Sequence, residues 1–157
     1  MDAIVRKFIP DDVEELSSMI EHTIEESYKW VYPEQVRDIF KEESSSEQIL
    51  ERAENDYVLV AIDPDDNARI VGTGTLLSNR VFGVYVHPKY QGNGIGVRIM
   101  EQLEDRAIGN SIKRIILSAS ISSKDFYKKL GYKGEPKIYK LKDGKEYIVY
   151  DMEKDIQ

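Results

Sequence analysis

At 157 residues, with 22 basic and 29 acidic side chains, the chain carries a net charge of −7 and is 41% hydrophobic. That length suits one domain, residues 1–157, and a chain of this size buries roughly 70% of its unfolded surface, enough for a core without staples. The absence of cysteine excludes disulfides, thiolate metal ligands and thiol catalysis; the acidic balance disfavours nucleic-acid phosphates and anionic lipid and leans weakly toward cationic ligands.

No run of about 18 apolar residues is present, so no membrane span is expected. Met1 to Lys7 lacks the apolar centre of a signal peptide, and a cytoplasmic address is the default expectation.

Taken in chain order, Ala3 to Phe8 reads as a first strand. Pro10-Asp11-Asp12 supplies a proline-plus-acid helix entry, and Val13, Leu16, Met19, Ile20, Thr23 and Ile24 recur at helical spacing to about Ser27. A second helix is predicted from about Pro33 to Lys41, then a serine-capped short helix from about Ser46 that ends before Asp56. Tyr57–Ile62 and Arg69–Leu77 read as paired strands around an Asp-Pro turn, and Val81–Val86 as a third.

Beyond Val86 a proline breaks the strand, and Gly92, Gly94 and Gly96 lead into a segment whose Ile95, Ile99, Leu103 and Ala107 make an apolar helical seam. Ile115–Leu117 is a short strand. Ser122–Asp125 offers caps to a helix carrying Phe126, Tyr127 and Leu130, with Gly131 as its C′ glycine. Lys137–Asp151 reads as a hairpin around Asp143-Gly144.

A strand, a glycine turn and a helix start make an anion site, because the first N–H groups of a helix lack internal partners and the helix dipole is positive there. Glycines at 92, 94 and 96 leave no Cβ in the way, so a diphosphate suits the turn. The spacing rejects two familiar phosphate loops. Gly96 is followed by Val97-Arg98 where a Walker loop needs Lys-Ser or Lys-Thr, and a dinucleotide fingerprint needs a glycine at 97 and an acid where Ile115–Leu117 stand.

Gln91-Gly92-Asn93-Gly94-Ile95-Gly96, preceded by Val86-His87-Pro88, resembles instead the central (Gln/Arg)-x-x-Gly-x-(Gly/Ala) motif of the GNAT acyltransferase superfamily. The resemblance covers the whole chain, most specifically residues 81–132. It implies an α/β (α+β) GNAT fold: a central mixed, mostly antiparallel twisted sheet of about seven strands with helices on both faces. It further implies acetyl-CoA as cosubstrate, its pyrophosphate held by Gln91, Gly92, Asn93, Gly94, Ile95 and Gly96. The strand end Val84, Tyr85 and Val86 would splay from its neighbour to admit pantetheine and steady the oxyanion with a backbone N–H. A plain connecting turn is the alternative reading of the glycines.

Phe126-Tyr127-Lys128-Lys129-Leu130-Gly131-Tyr132 resembles the family's second motif, which implies Tyr127 as the general acid that protonates the departing thiolate. With reference pKa values of about 10 for tyrosine and 8.5 for a thiol, a modest local shift would match the two. The alternative is a packed tyrosine with its hydroxyl on a backbone carbonyl. Ser120 stands where some members carry a cofactor-contacting asparagine, seven residues before the tyrosine.

The glutamate that some members use as base, around Ile115–Ser118, is missing. Tyr85, Glu25, Glu26 and Tyr139 are the stand-ins by rough placement. Arg98 is placed to reach a phosphate or solvent, and His87 reads as structural. Trp30, Tyr28 and Tyr32 read as core or acceptor-pocket wall. With two histidines, one of them His22 near Glu25 and Glu26, no metal site is expected.

Two functions follow from the resemblance: an N-acetyltransferase that moves acetyl to an amine of a small molecule, peptide or protein, or a non-catalytic acyl-CoA-binding module. Sheet edges and the C-terminal hairpin suit a homodimer.

Overall fold

Alternating apolar runs and helical seams condense into one sheet with helices against both faces. The structure is a computed structural model and describes residues 2–157. Its strands are β1 (Ile4–Lys7), β2 (Tyr57–Asp63), β3 (Arg69–Leu77), β4 (Arg80–Val86), β5 (Arg114–Ala119), β6 (Lys133–Lys140) and β7 (Glu146–Asp155). Its α-helices are α1 (Val13–Tyr28), α2 (Glu34–Glu42), α3 (Ser46–Asn55), α4 (Ile95–Gly109) and α5 (Lys124–Lys129). The sheet order is β1-β2-β3-β4-β5-β7-β6, every pairing antiparallel except β4 with β5.

Period-two alternation in β2 sorts the core. Val58, Val60 and Ile62 pack with Leu16, Met19, Ile20 and Ile24 of α1 and Ile49 of α3. Leu59 and Ala61 face the other way, into a cluster with Ile95, Ile99 and Leu103 of α4 and Ile115 and Leu117 of β5. Close approach of α4 depends on Gly74, where an added Cβ would lie 2.7 Å from Ile99 Cγ2 and 3.1 Å from Leu103 Cδ1.

The functional geometry begins with a β-bulge in β4. Thr73 pairs with Tyr85 and Thr75 with Phe82, which sets Gly83 and Val84 against Gly74 alone. Gly83 adopts φ +62°, the left-handed residue such a bulge requires. The extra residue bends and twists β4, and β4 pairs with β5 only at Arg80↔Ile116, near an Ile116 N–H bond to the Asn79 carbonyl at 3.0 Å. From Phe82 to Val86 the edge of β4 that faces β5 has no strand partner among the described residues, so the sheet opens into a wedge.

The final hairpin is longer than its sequence suggests, Lys133–Lys140 against Glu146–Asp155 rather than 137–151. Gly134 and Pro136 are accommodated because β6 is the sheet edge, where a proline's missing N–H interrupts no ladder. The helix starts also differ from expectation. Pro10–Asp12 forms a separate 3-10 turn ahead of α1. Ser123 makes no side-chain cap for α5; Ser120 Oγ accepts the Ser123 N–H instead, at 3.1 Å.

Candidate active site

The glycine turn is built from its own backbone and four side-chain ties. A 3-10 turn over Pro88–Tyr90 leaves β4, anchored by Tyr90 Oη donating to Asp63 at 2.9 Å and by His87 Nδ1 accepting the Lys89 N–H at 3.1 Å. Gln91 Nε2 donates to the Val86 carbonyl at 2.9 Å, occupying a strand carbonyl at the mouth of the wedge. Asn93 Nδ2 closes onto the Tyr90 carbonyl at 3.0 Å.

Gly92 and Gly94 hold φ +83° and +80°, and no heavy atom lies within 4 Å of where a Cβ would stand. Those two glycines therefore supply conformation, and the space over them is open. Gly96 has a different role from the one the spacing suggests: its missing Cβ makes room for Phe126, whose Cζ would lie 3.0 Å away. Helix α4 begins its ladder with Arg98 N–H to the Gly94 carbonyl at 3.1 Å, leaving the N–H groups of Ile95, Gly96 and Val97 without intrahelical partners and the dipole's positive end beside them. An anion fits there.

A cavity of about 450 Å³ runs from this turn along the open edge of β4. Val84, Tyr85, Val86, Gln91, Gly92, Gly94, Ile95, Gly96 and Tyr127 line it, together with Thr23, Ser27 and Tyr28 of α1. Of the residues singled out from sequence, Asn93 and Ser120 are not part of that lining. Asn93 braces the turn, and Ser120 braces the turn that leads into α5 and borders a second cavity.

Tyr127 projects from α5, a short helix closed by Gly131 at φ +98°, with the Tyr132 N–H on the Tyr127 carbonyl at 3.0 Å. The side chain is buried. No buried side-chain oxygen is left without a partner among the described residues, and the Tyr127 hydroxyl takes no hydrogen bond among them, so that hydroxyl opens into the cavity. Burial first, then the nearby Tyr28, push its pKa well above the ordinary tyrosine value. The shift runs away from the thiol match expected from sequence, and it keeps Tyr127 protonated across the neutral range. Burial holds Tyr85, also on the cavity wall, protonated in the same way.

Several sequence expectations need correction. Arg98 donates to the Ala3 carbonyl just before β1 and is not part of the cavity lining. Glu25 is engaged by Lys41 and Arg37, which hold its carboxyl below the usual range, and Glu26 pairs with Lys29 at 3.6 Å. Neither carboxylate lines the cavity. Tyr139 stacks on Tyr147, ring centres 5.6 Å apart, beside the second cavity. Trp30 is 89% exposed, neither core nor pocket wall. Tyr32 is core, its hydroxyl donating to the Ile148 carbonyl at 2.7 Å and accepting the Ile121 N–H at 2.9 Å. His87 is buried in a structural role, as read.

A bulged, splayed strand, a glycine turn opening a helix and a buried tyrosine thus share one cavity. The sequence model of the acetyltransferase (GNAT) domain matches residues 14–154, and the chain belongs to that family. A chloroplastic GCN5-related N-acetyltransferase 2 of Arabidopsis thaliana is 32% identical over 73 residues, 43% of this chain and 28% of that protein. The chain thus spans well under two thirds of that relative.

Among solved structures, a GCN5-related N-acetyltransferase from Rhodopseudomonas palustris superposes with a TM-score of 0.86 at 20% identity, covering 99% of this chain and 96% of the other. PaiA N-acetyltransferase from Thermoplasma acidophilum, in complex with coenzyme A, gives 0.78 at 20% identity over 99% of both chains. These likenesses establish the GNAT fold.

Proposed function

We propose that the protein is an acetyl-CoA-dependent N-acetyltransferase. The observation that carries this reading is the Tyr127 hydroxyl, unpartnered among the described residues and open to the cavity shared by the glycine turn and the free edge of β4. The family and a coenzyme A-bound neighbour of the same fold support it.

In this reading the diphosphate of acetyl-CoA rests on the N–H groups of residues 92–97. Among the described residues no lysine or arginine lines that cavity, so the backbone and the α4 dipole supply the attraction. The pantetheine arm runs in the wedge, alongside Val84–Val86. The acceptor's neutral amine attacks the thioester carbon, a backbone N–H of β4 steadies the oxyanion, and the C–S bond breaks. The thiolate takes the Tyr127 proton, and the proton lost from the acylated nitrogen restores the phenol, so one proton moves net from nitrogen to sulfur.

The test follows free-thiol release from acetyl-CoA against polyamines, amino acids, aminoglycosides and lysine peptides, with Tyr127→Phe beside wild type. The expected result is turnover with one acceptor class and a fall in kcat of about 100-fold or more in the variant, with acetyl-CoA binding by calorimetry retained. Among the described residues the cavity lining holds no carboxylate or imidazole, and this favours the second reading, an acyl-CoA-binding module. Calorimetric binding without turnover on any acceptor would establish that module, and absence of binding would overturn both readings.

A further inference from the structure

Across the wedge from the glycine turn lies a second cavity of about 290 Å³. The first cavity meets it at Tyr28 and Tyr85, which line both. Its walls are aromatic: Tyr28, Phe40, Phe82, Tyr85, Tyr139 and Tyr147. Edge-to-face contacts between Tyr28 and Phe40 (5.9 Å) and Phe40 and Tyr147 (6.3 Å) hold the rings in place. Such walls suit a flat or aliphatic stem and the face-on approach of a cation.

Two opposite charges border this cavity, and neither is neutralised by an ion pair among the described residues. Glu43 stands at the end of α2. The residue is exposed as a whole, while its carboxyl is enclosed enough for burial to raise its pKa. Its charge is felt by Tyr85 and Tyr147, whose pKa values it helps raise. The nearest balancing charge, Arg52, has its guanidinium 4.5 Å over the Phe82 ring. Arg80 lines the cavity where β4 and β5 meet, and among the described residues its one side-chain hydrogen bond is a 3.5 Å approach to Ser118 Oγ. Arg80 precedes Tyr85 by five residues along β4, on the order of 15 Å of extended strand.

We infer that the acceptor is a small, elongated, dipolar amine, its ammonium end held by Glu43 and an anionic group held by Arg80, the two charged residues that line this cavity. This rests on the acyl-transfer reading for its chemistry, and on the cavity alone for its ligand class. The volume is at the lower end for ligand sites, which selects a metabolite-sized acceptor over a polysaccharide or a folded protein surface. The aromatic rings between the charges favour an apolar or aryl stem, and an anionic group without the amine would leave Glu43 unmatched.

The experiment compares matched amines with and without a carboxylate, 6-aminohexanoate with hexylamine and 4-(aminomethyl)benzoate with benzylamine. Turnover with acetyl-CoA is one readout, and calorimetric binding to the protein saturated with coenzyme A, which cannot react, is the other. The expected result is a preference of at least ten-fold for the anionic member of one pair, a ratio falling to about one in Arg80→Gln, and a higher KM for both members in Glu43→Gln. Preferential binding without turnover would retire the acyl-transfer reading and retain this ligand class. Equal use of both members, a preference that survives Arg80→Gln, or no binding of either member would overturn the inference while leaving turnover of other amines intact.

Discussion

Gly94 and Gly96 are two residues apart in the same turn and are required for different reasons. At Gly94, φ is +80° with open space above, so Gly94→Ala forces a non-glycine residue into left-handed backbone at about 1–2 kcal/mol. Urea unfolding should show that loss, and calorimetry a weaker hold on acetyl-CoA. At Gly96 the backbone is ordinary and the constraint is the Phe126 ring, 3.0 Å from a built Cβ. Gly96→Ala should displace Phe126, whose ring centre lies 5.0 Å from that of Tyr127, and so lower kcat by more than it lowers stability. Thiol-release kinetics beside a melt of the same variant separates the two effects.

At the scale of elements, the entry to α1 is fastened by Asp12. Its carboxylate accepts the Ile9 N–H at 2.9 Å and both Arg6 nitrogens at 2.8 Å, tying the 3-10 turn to β1. The Arg6 side chain is 36% exposed, so solvent weakens the pair, and Asp12→Ala should cost about 1–2 kcal/mol, mainly through the lost backbone bond. Arg6 first, by its hydrogen bond, holds the Asp12 pKa below its ordinary value. A depressed folded pKa means that this stabilisation is present above the unfolded value of about 3.9 and is lost as pH falls through the lower folded value. Melts of wild type and Asp12→Asn should therefore start to approach each other as pH falls past about 3.9 and meet only below the lower folded value.

A second fastening joins elements far apart in sequence: the Tyr32 hydroxyl bridges the Ile121 N–H before α5 and the Ile148 carbonyl of β7. Tyr32→Phe leaves both groups unpaired and should cost about 1–3 kcal/mol. Because the bridged loop leads into the helix bearing Tyr127, kcat should fall in the same variant.

For the molecule as a whole, buried tyrosines set the alkaline limit. Burial raises Tyr32 to about 12 and lifts Tyr85, Tyr127 and Tyr132 in the same direction. For a folded pKa above the unfolded one, the stabilisation is complete below about pH 10 and disappears as pH rises through the folded values. Melting temperature should hold to about pH 10 and drop above it, the drop coinciding with tyrosinate absorbance. Substituting an exposed lysine instead should leave that profile in place.

The sequence by itself determined what depends on local spacing: the order of strands and helices, the apolar seam of α4, the glycine turn, the C′ role of Gly131 and the nomination of Tyr127. Each is written within a few residues, where periodicity and backbone preference act directly. Trp30 was misread because an aromatic beside a helix end carries no sign of which way the loop turns it, and Arg98 because helical position alone does not reveal the Ala3 carbonyl across the fold. Glu43 carried no local signal at all, one of two adjacent glutamates at the end of α2. Only the tertiary structure decided these, together with the opening of β4 from β5 and the pairing of two cavities at Tyr28 and Tyr85, because each depends on side chains brought together from distant parts of the chain by strand pairing and helix packing.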